Sequence, residues 1–237
     1  MALPMANTPR YKLTIPSSGK SVTYRPFLVK EEKALLIAQQ SEDSETMITT
    51  LKSVIESCIQ DPIKASDLAI FDIEYIFTQI RSKSVGEIVN LVLKCDECET
   101  DKASVSYEID LTKLKVNIPE GHDKTIPLFG NVGVIMKYPS LELLKKLENV
   151  NTSDAEAIFN IITSCIDSVY DSEQIYSAKD HRPEEMRQFV DNLTQEQFMK
   201  LQKFFETMPK LEEKVSYKCP VCSKEHEKYI RGLDSFF

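Results

Sequence analysis

The sequence predicts an α+β fold in which short antiparallel hairpins and helical segments surround one split element built from two cysteine pairs. Several segments alternate apolar and polar residues, as half-buried strands do, whereas others repeat apolar residues at helical spacing. Two Cys-x-x-Cys pairs, Cys95 with Cys98 and Cys219 with Cys222, each follow a short apolar run that ends in lysine. Glycine is scarce, at 6 of 237 residues, which disfavours a glycine-rich sandwich or a phosphate-binding loop.

The composition argues against several classes of protein. The net charge is −8, so the surface as a whole does not suit nucleic-acid backbones or anionic membranes. No apolar run approaches the roughly 18–20 residues of a membrane span. Residues 1–5 lack the basic segment and apolar core of a signal peptide. We therefore expect a reducing compartment, where paired cysteines bind metal more often than they form disulfides.

The first third of the chain predicts a hairpin followed by three helices. Residues 11–15 and 21–27 alternate apolar and polar side chains around a turn that contains Gly19. The helices are predicted over 29–40, from Asp43 or Ser44 to about residue 60, and from Ser66-Asp67 to about residue 80. The third helix is apolar over a wide arc, so it is either sandwiched between other elements or covered by a partner.

The middle of the chain predicts strands. Residues 86–94 lead as a strand into the first cysteine pair. Residues 104–111 alternate strictly and are the clearest strand in the sequence. Residues 124–129 and 132–138 flank Gly130-Asn131, a turn pair that predicts a second hairpin.

The last third predicts helices and then the second cysteine pair. The helices are expected over 139–147, over 153–169, from Pro183 onwards and over 195–208. Capping boxes at Ser153-Asp154-Ala155-Glu156 and Thr194-Gln195-Glu196-Gln197 mark two of the helix starts. Residues 170–179 are expected to be irregular or briefly extended.

These elements divide the chain into three regions. Residues 1–85 hold the N-terminal hairpin and helices. Residues 86–138 together with 210–237 form a β region that contains both cysteine pairs, and residues 139–209 form a helical insertion. No low-complexity tract separates the regions, so we expect them to form one compact unit.

The cysteine pairs predict one structural zinc ion per chain, with Cys95, Cys98, Cys219 and Cys222 as ligands. Two residues between cysteines let both sulfurs reach one metal from a tight turn, and two such turns complete a tetrahedral site. Residues 99–218 separate the pairs, whereas a contiguous zinc ribbon has roughly 15–20 residues there. Four sulfur ligands leave no open position, so the ion would be structural and not catalytic.

Other interpretations of the cysteines stay open. The pairs could be reduced turns without metal, or redox pairs, although a redox pair is expected at a helix N-terminus and these lie between strands. His226 could replace a cysteine ligand, but a surface or supporting histidine is favoured because four cysteines are available. Cys58 and Cys165 stand alone in helix-like segments and are expected to be buried.

Nothing in the sequence predicts catalysis or a small-molecule substrate. It contains no phosphate-cradling glycine loop, no HExxH motif and no nucleophile elbow. Neighbouring carboxylates such as Asp72 and Glu74 are explained by helix starts and solvated faces. The terminal Phe236 and Phe237 instead predict a contact, either within this fold or on a partner.

Four stretches before the first cysteine pair carry a family resemblance. They are residues 11–20 (YKLTIPSSGK), 24–33 (YRPFLVKEEK), 71–75 (FDIEY) and 81–87 (RSKSVGE). Together with the cysteine pair that follows, they resemble the T4-type bacteriophage baseplate hub family. The resemblance covers most of the chain and is most specific in the first third. The family includes a hub subunit and a related hub assembly factor, which this sequence does not distinguish.

The resemblance implies a non-enzymatic structural or assembly protein of a contractile-tailed phage. It would be found in the host cytoplasm while the hub is built and in the tail baseplate of the virion. Its partners would be other hub and tail proteins, contacted through a zinc-rigidified β surface and apolar helical faces, with no membrane involved. One alternative is a zinc-ribbon nucleic-acid-binding regulator, although the surroundings of the cysteines are only mildly basic. Another is a transient assembly chaperone that is absent from the mature virion.

Overall fold

The computed structural model describes residues 7–41, 43–98, 100–143 and 155–232. Within them the fold is α+β, with short antiparallel sheets and several helices, as the sequence predicts. The predicted capping residues Ser153 and Asp154 and the terminal Phe236-Phe237 lie outside the described residues. Of the helix predicted over 139–147, residues 139–143 are described, and 141–143 are helical.

The chain divides into two compact units. The first comprises Met1–Asn117 and Lys210–Phe237, as far as the structure describes them, and the second is Ile118–Pro209. The second unit, called the inserted unit below, thus interrupts the sequence of the first. It includes the hairpin at 124–138, which the division made from the sequence assigned to the β region.

The first unit begins with a hairpin and three helices, as predicted. They are β1 (Tyr11–Thr14), β2 (Ser21–Tyr24), α1 (Val29–Gln40), α2 (Ser44–Cys58) and α3 (Ile70–Ser84). Asp43 caps α2, since its carboxylate accepts a hydrogen bond from the Thr46 N–H at 2.8 Å. α3 begins later than the predicted Ser66, because Ala65–Asp67 forms a separate 3-10 turn.

The wide apolar arc of α3 is buried within the chain itself. Phe71, Ile73, Ile76, Phe77 and Ile80 are all at most 2% exposed. A helix that is apolar nearly all round needs cover on several sides. Of the two sequence-based interpretations, a sandwiched helix is therefore correct for these residues.

Two hairpins of the first unit carry the cysteine pairs. They are formed by β3 (Ile88–Lys94) with β4 (Ser104–Asp110), and by β10 (Lys210–Lys218) with β11 (Glu225–Arg231). A two-residue strand, β5 (Val116–Asn117), pairs with the start of β10. The buried side chains of both hairpins, such as Leu93 and Val215, belong to one core. We call these two hairpins, with β5, the hairpin pair.

The inserted unit is a four-stranded antiparallel sheet with helices packed on it. Its strands, in spatial order, are β6 (Thr125–Phe129), β7 (Val132–Met136), β8 (Ile166–Tyr170) and β9 (Ile175–Ser177). Its helices are α4 (Ala155–Ser164), α5 (Pro183–Asp191) and α6 (Gln195–Glu206). Val134, Ile162 and Leu201 lie at the centre of its core. The predicted capping box at Thr194 is present, because its hydroxyl accepts a hydrogen bond from the Gln197 N–H.

The helix predicted to reach residue 169 is wrong at its C-terminal end. α4 ends at Ser164, and the next residues form β8, a central strand of the sheet. Ile166 and Ser168 are buried whereas Asp167 is exposed, which is the two-residue alternation of a strand. β-branched residues such as Ile166 and Val169 favour strands, and pairing with β7 and β9 decides the conformation.

Candidate metal centre

Two tight turns carry the four cysteines. Cys95 and Cys98 follow β3, and Cys219 and Cys222 lie between β10 and β11. The second turn is closed by main-chain hydrogen bonds, in which the Ser223 N–H donates to the Cys219 carbonyl at 3.0 Å and the Cys219 N–H donates to the Lys224 carbonyl at 2.9 Å. Ser223 has a left-handed φ of 60°, which returns the chain towards β11.

The structure brings the four predicted ligands together. Their sulfur atoms all lie within 4.8 Å of one another, and Cys95 Sγ is 3.9 Å from Cys222 Sγ. Four sulfurs at about 2.3 Å around a tetrahedral Zn²⁺ lie about 3.8 Å apart. The cysteines are free thiols, and Cys95 and Cys219 are buried whereas Cys222 is exposed. The donor set and its spacing therefore suit one tetrahedral metal ion.

The neighbouring groups shift the pKa values of two thiols in opposite directions. The main-chain N–H groups of Cys222 and Val221 hydrogen-bond to the Cys219 sulfur and lower the pKa of Cys219 to about 7. The hydrogen bond between Cys98 and Cys222 raises the pKa of Cys98 to about 12. Thiolates this close repel one another, so one keeps its proton unless a cation offsets the charge.

His226 touches the cysteine cluster. Its Nε2 lies 3.2 Å from Cys95 Sγ, and its ring stacks on Tyr217 with the centroids 5.2 Å apart. Since four sulfurs are present, this position suits a hydrogen bond to a metal-bound sulfur. The sequence-based preference for a surface or supporting histidine stays a prediction, and His226 lies beside Cys95.

Side chains of the second hairpin also hold the first cysteine turn, and sequence reasoning missed their role. The Tyr217 hydroxyl donates to the Lys94 carbonyl at 2.7 Å. The Lys228 ammonium donates to the same carbonyl at 3.0 Å and to Asp96 at 2.8 Å. Lys224 forms an ion pair with Glu97. The opposite charges of the two turns were visible in the sequence, but their pairing needed the fold.

The other two cysteines are buried in the cores. Cys58 and Cys165 have almost no exposed surface, as the sequence predicts. Burial raises the pKa of Cys165 to about 12, so its thiol stays protonated. Among the residues that the structure describes, the helices are too short or too polar to cross a membrane.

Comparisons with known proteins identify the family. The family described as T4 bacteriophage base plate protein matches residues 8–237. The baseplate hub assembly protein gp26 of Enterobacteria phage T4 is 24% identical over 228 residues, which cover 96% of this chain and 97% of that protein. No solved structure matches the chain. The resemblance found in the sequence is confirmed, and with it a structural or assembly role in a phage baseplate: the chain belongs to the T4 bacteriophage base plate protein family.

Proposed function

We propose that this chain is a non-enzymatic assembly protein of the baseplate hub, and that one structural zinc ion holds its hairpin pair together. The observation that carries the hub role is the nearly end-to-end match to the T4 protein named for hub assembly. Its partners would be other hub and tail proteins. It would act in the host cytoplasm while the hub is built and remain in the tail baseplate.

The zinc proposal rests on the cysteine cluster. Thiolates are the soft ligands that zinc prefers in structural sites, and four of them close the coordination shell. With Cys95, Cys98, Cys219 and Cys222 as ligands, the ion would join the turn after β3 to the turn after β10. The chemistry it would supply is folding free energy, because the unfolded chain does not hold these sulfurs together.

Exposed apolar side chains support a role in protein–protein contacts. On α1, Val29, Leu36 and Ile37 are 79%, 53% and 56% exposed. Clustered apolar surface on a soluble protein marks sites of association. A nucleic-acid-binding ribbon is not favoured, because Lys224 and Lys228 beside the second cysteine pair are bonded to the acids of the first turn.

Native mass spectrometry before and after a strong chelator tests the zinc proposal. We expect one zinc ion per chain, and a shift to more highly charged, expanded ions after chelation. A folded chain that carries no metal would contradict it. The matched control is Cys58→Ala/Cys165→Ala, which removes two cysteines but no proposed ligand and should keep the zinc.

The hub role is tested in infected cells and virions. Phage that lack this chain should accumulate unassembled hub proteins, and restoring the chain should restore baseplates. Normal baseplates without it would refute the hub role. Mass spectrometry of purified virions then separates a permanent subunit, which is present, from a transient assembly factor, which is absent.

A further inference from the structure

Over residues 88–93 the outer edge of β3 is uncharged, and it pairs with no further strand among the described residues. Residues 88–93 (IVNLVL) contain no charged residue, no proline and no glycine. β3 pairs with β4 in unbroken register, and no other strand of the described residues pairs with it. Soluble proteins usually protect such edges with charges, prolines or bulges, because an apolar edge templates further strand pairing. The edge of β3 is therefore available for pairing with a further strand.

Hydrogen bonds just beyond both ends of the β3–β4 hairpin show which main-chain groups face β4. The Cys95 N–H donates to the Ala103 carbonyl at 3.0 Å, and the Leu111 N–H donates to the Glu87 carbonyl at 2.8 Å. Bonded positions alternate along an antiparallel pair. The odd-numbered residues of β3 therefore bond to β4.

The even-numbered residues of β3 point their N–H and C=O groups to the free edge. Lys94 agrees with this assignment, since its carbonyl accepts hydrogen bonds from Tyr217 and Lys228, which belong to the other hairpin. For Ile88, Asn90 and Val92, no such partner occurs in the part of the chain that the structure describes. The side chains of Ile88 and Val92 are also 51% and 67% exposed.

The side chains on this edge form a self-complementary pattern. A two-fold axis at Asn90 places Asn90 opposite its own copy and Ile88 opposite Val92 of the copy, as in an isologous interface. Apolar side chains then meet apolar ones and the two amides meet each other, so the cross-strand pairs favour this register. Lys94 lies opposite Gly86 of the copy, so no like charges meet along the edge.

We propose that a second copy of this chain pairs with β3, antiparallel and centred on Asn90, so that two hairpins form a continuous four-stranded sheet. The pairing adds up to about six main-chain hydrogen bonds. It also places Ile88 and Val92 in cross-strand contact, which reduces their exposed apolar surface. The proposed zinc ligands lie outside residues 88–92, so the dimer proposal can fail while the zinc proposal holds, and the reverse.

A charge variant tests the proposed dimer. Sedimentation equilibrium of the wild type should give twice the mass of one chain, and Ile88→Lys/Val92→Lys should give the mass of one chain. The double variant places four lysines around the two-fold axis, while both positions are exposed in the single copy and should not disturb its folding. The matched control is Val29→Lys/Ile175→Lys, which adds the same charge at exposed positions elsewhere and should stay dimeric.

A cysteine cross-link locates the axis. With zinc present and mild oxidant, Asn90→Cys should form a disulfide-linked dimer, because opposed residues in bonded antiparallel pairs have Cα atoms about 5.5 Å apart. Ser106→Cys, opposite Val92 on β4 and one strand further from the axis, should not. Equal cross-linking of the two variants, or none, overturns the proposal.

Two further outcomes also overturn it. One is a wild-type monomer at every protein concentration, and the other is a dimer that survives the double lysine change. If the wild type is a monomer but Ile88→Lys/Val92→Lys no longer supports phage assembly, the edge of β3 is instead paired by a strand of a different baseplate protein.

Discussion

The hairpin pair and the inserted unit bury their strands by different means. In the inserted unit, helices cover a four-stranded sheet, and aromatic side chains such as Phe159 and Phe198 stack with their centroids 4.3 Å apart. In the hairpin pair, the apolar core covers the strands, and Cys95 and Cys219 at the turns form a separate small cluster. Small hairpins are marginally stable without such additions.

The two regions differ in the interactions that stabilise them. A sheet covered by helices is stabilised by apolar burial, whereas two hairpins that meet at their turns need cross-links there. Polar contacts from Tyr217 and Lys228 supply some of these, and the proposed metal ion supplies the strongest. The two regions should therefore respond to different perturbations.

Loss of the second cysteine pair should have the largest effect and should be confined to the first unit. Apparent zinc-binding free energies of about 10–16 kcal/mol in small zinc-binding peptides rival the stability of a whole domain, so Cys219→Ser/Cys222→Ser should unfold the hairpin pair. Hydrogen exchange should show lost protection in β3, β4, β10 and β11, with β7 and β8 still protected. Equal loss in both units would refute the division of roles.

Glu31 provides an acid-sensitive contact in the helical part of the first unit. Burial works to raise its pKa, but the hydrogen bond and charge of Arg25 at 2.9 Å and the N–H of Leu28 outweigh burial and lower the pKa to about 2. A lowered folded-state pKa means that this stabilisation is complete above the ordinary value of about 4.5 and is lost as pH falls towards 2.

Glu31→Gln should therefore lower the free energy of unfolding by about 3 kcal/mol at pH 7, the cost of breaking a buried pair. It should also flatten the loss of stability between pH 4.5 and 2. Hydrogen exchange of α1 and α2 as a function of pH measures both effects. The exposed neighbour Glu32 is the control, and an identical acid response in Glu31→Gln and Glu32→Gln would show that the Arg25 contact is not responsible.

At Gly133, in the inserted unit, an added atom and not a lost contact should destabilise the fold. A Cβ at this position would collide with the Tyr170 hydroxyl and lie 2.6 Å from the Ile126 carbonyl oxygen, which is fixed in the sheet. Gly133→Ala should destabilise the inserted unit by about 1–3 kcal/mol, as overpacking does. Denaturant unfolding with segment-resolved hydrogen exchange measures this loss, while the proposed zinc content should stay unchanged.

The control for this change is Gly130→Ala, in open space at a left-handed φ of 50°, which should cost about 1 kcal/mol through backbone strain alone. If Gly130→Ala proves as damaging as Gly133→Ala, the collision is not the cause. Release of zinc by Gly133→Ala would show that the two regions are not independent.

His226→Gln should have the smallest effect on folding and should act on the proposed metal site. Loss of its contact with Cys95 Sγ at 3.2 Å should weaken zinc binding about 10-fold, as loss of supporting partners does elsewhere. Chelator competition measures the affinity, and the sulfur-to-metal absorption bands of the cobalt-substituted protein should shift. His181→Gln, on the surface of the inserted unit, is the control and should change neither.

Local sequence patterns predicted the elements that depend on interactions between residues close together in the sequence. Strict alternation located β4, the glycine turns located two hairpins, and caps located α2 and α6. The spacing within each cysteine pair pointed to Cys95, Cys98, Cys219 and Cys222, which the fold brings together. In each case the deciding interactions lie within a few residues of one another.

Elements decided by distant partners were not predictable in the same way. Ile166–Tyr170 follows a helix without a break in apolar character, and pairing with β7 makes it a strand. The extended conformation of Val116–Asn117 is suggested by the sequence, but its pairing with Lys210 and Leu211 is not. Likewise, Tyr217 and Lys228 donate hydrogen bonds to the Lys94 carbonyl because the fold places β10 and β11 beside the end of β3.

The pairing of β5 with β10 also bears on how the chain is made. Residues 99–218 take roughly 6 to 24 seconds to translate at about 5–20 residues per second. During that interval, Cys95 and Cys98 are the two members of the proposed ligand set that have been synthesised. The inserted unit is synthesised in the same interval and has its own core, so its folding does not require the second cysteine pair.

Folding of the inserted unit reduces the conformational entropy that is lost when the two cysteine pairs come together. Asn117 and Lys210, the residues that flank it, are neighbours across β5 and β10. A long flexible loop is thereby replaced by a short one, and the entropy lost when the last two cysteines join the first two is reduced. The folded insertion thus brings the second cysteine pair, which is synthesised last, closer to the first pair.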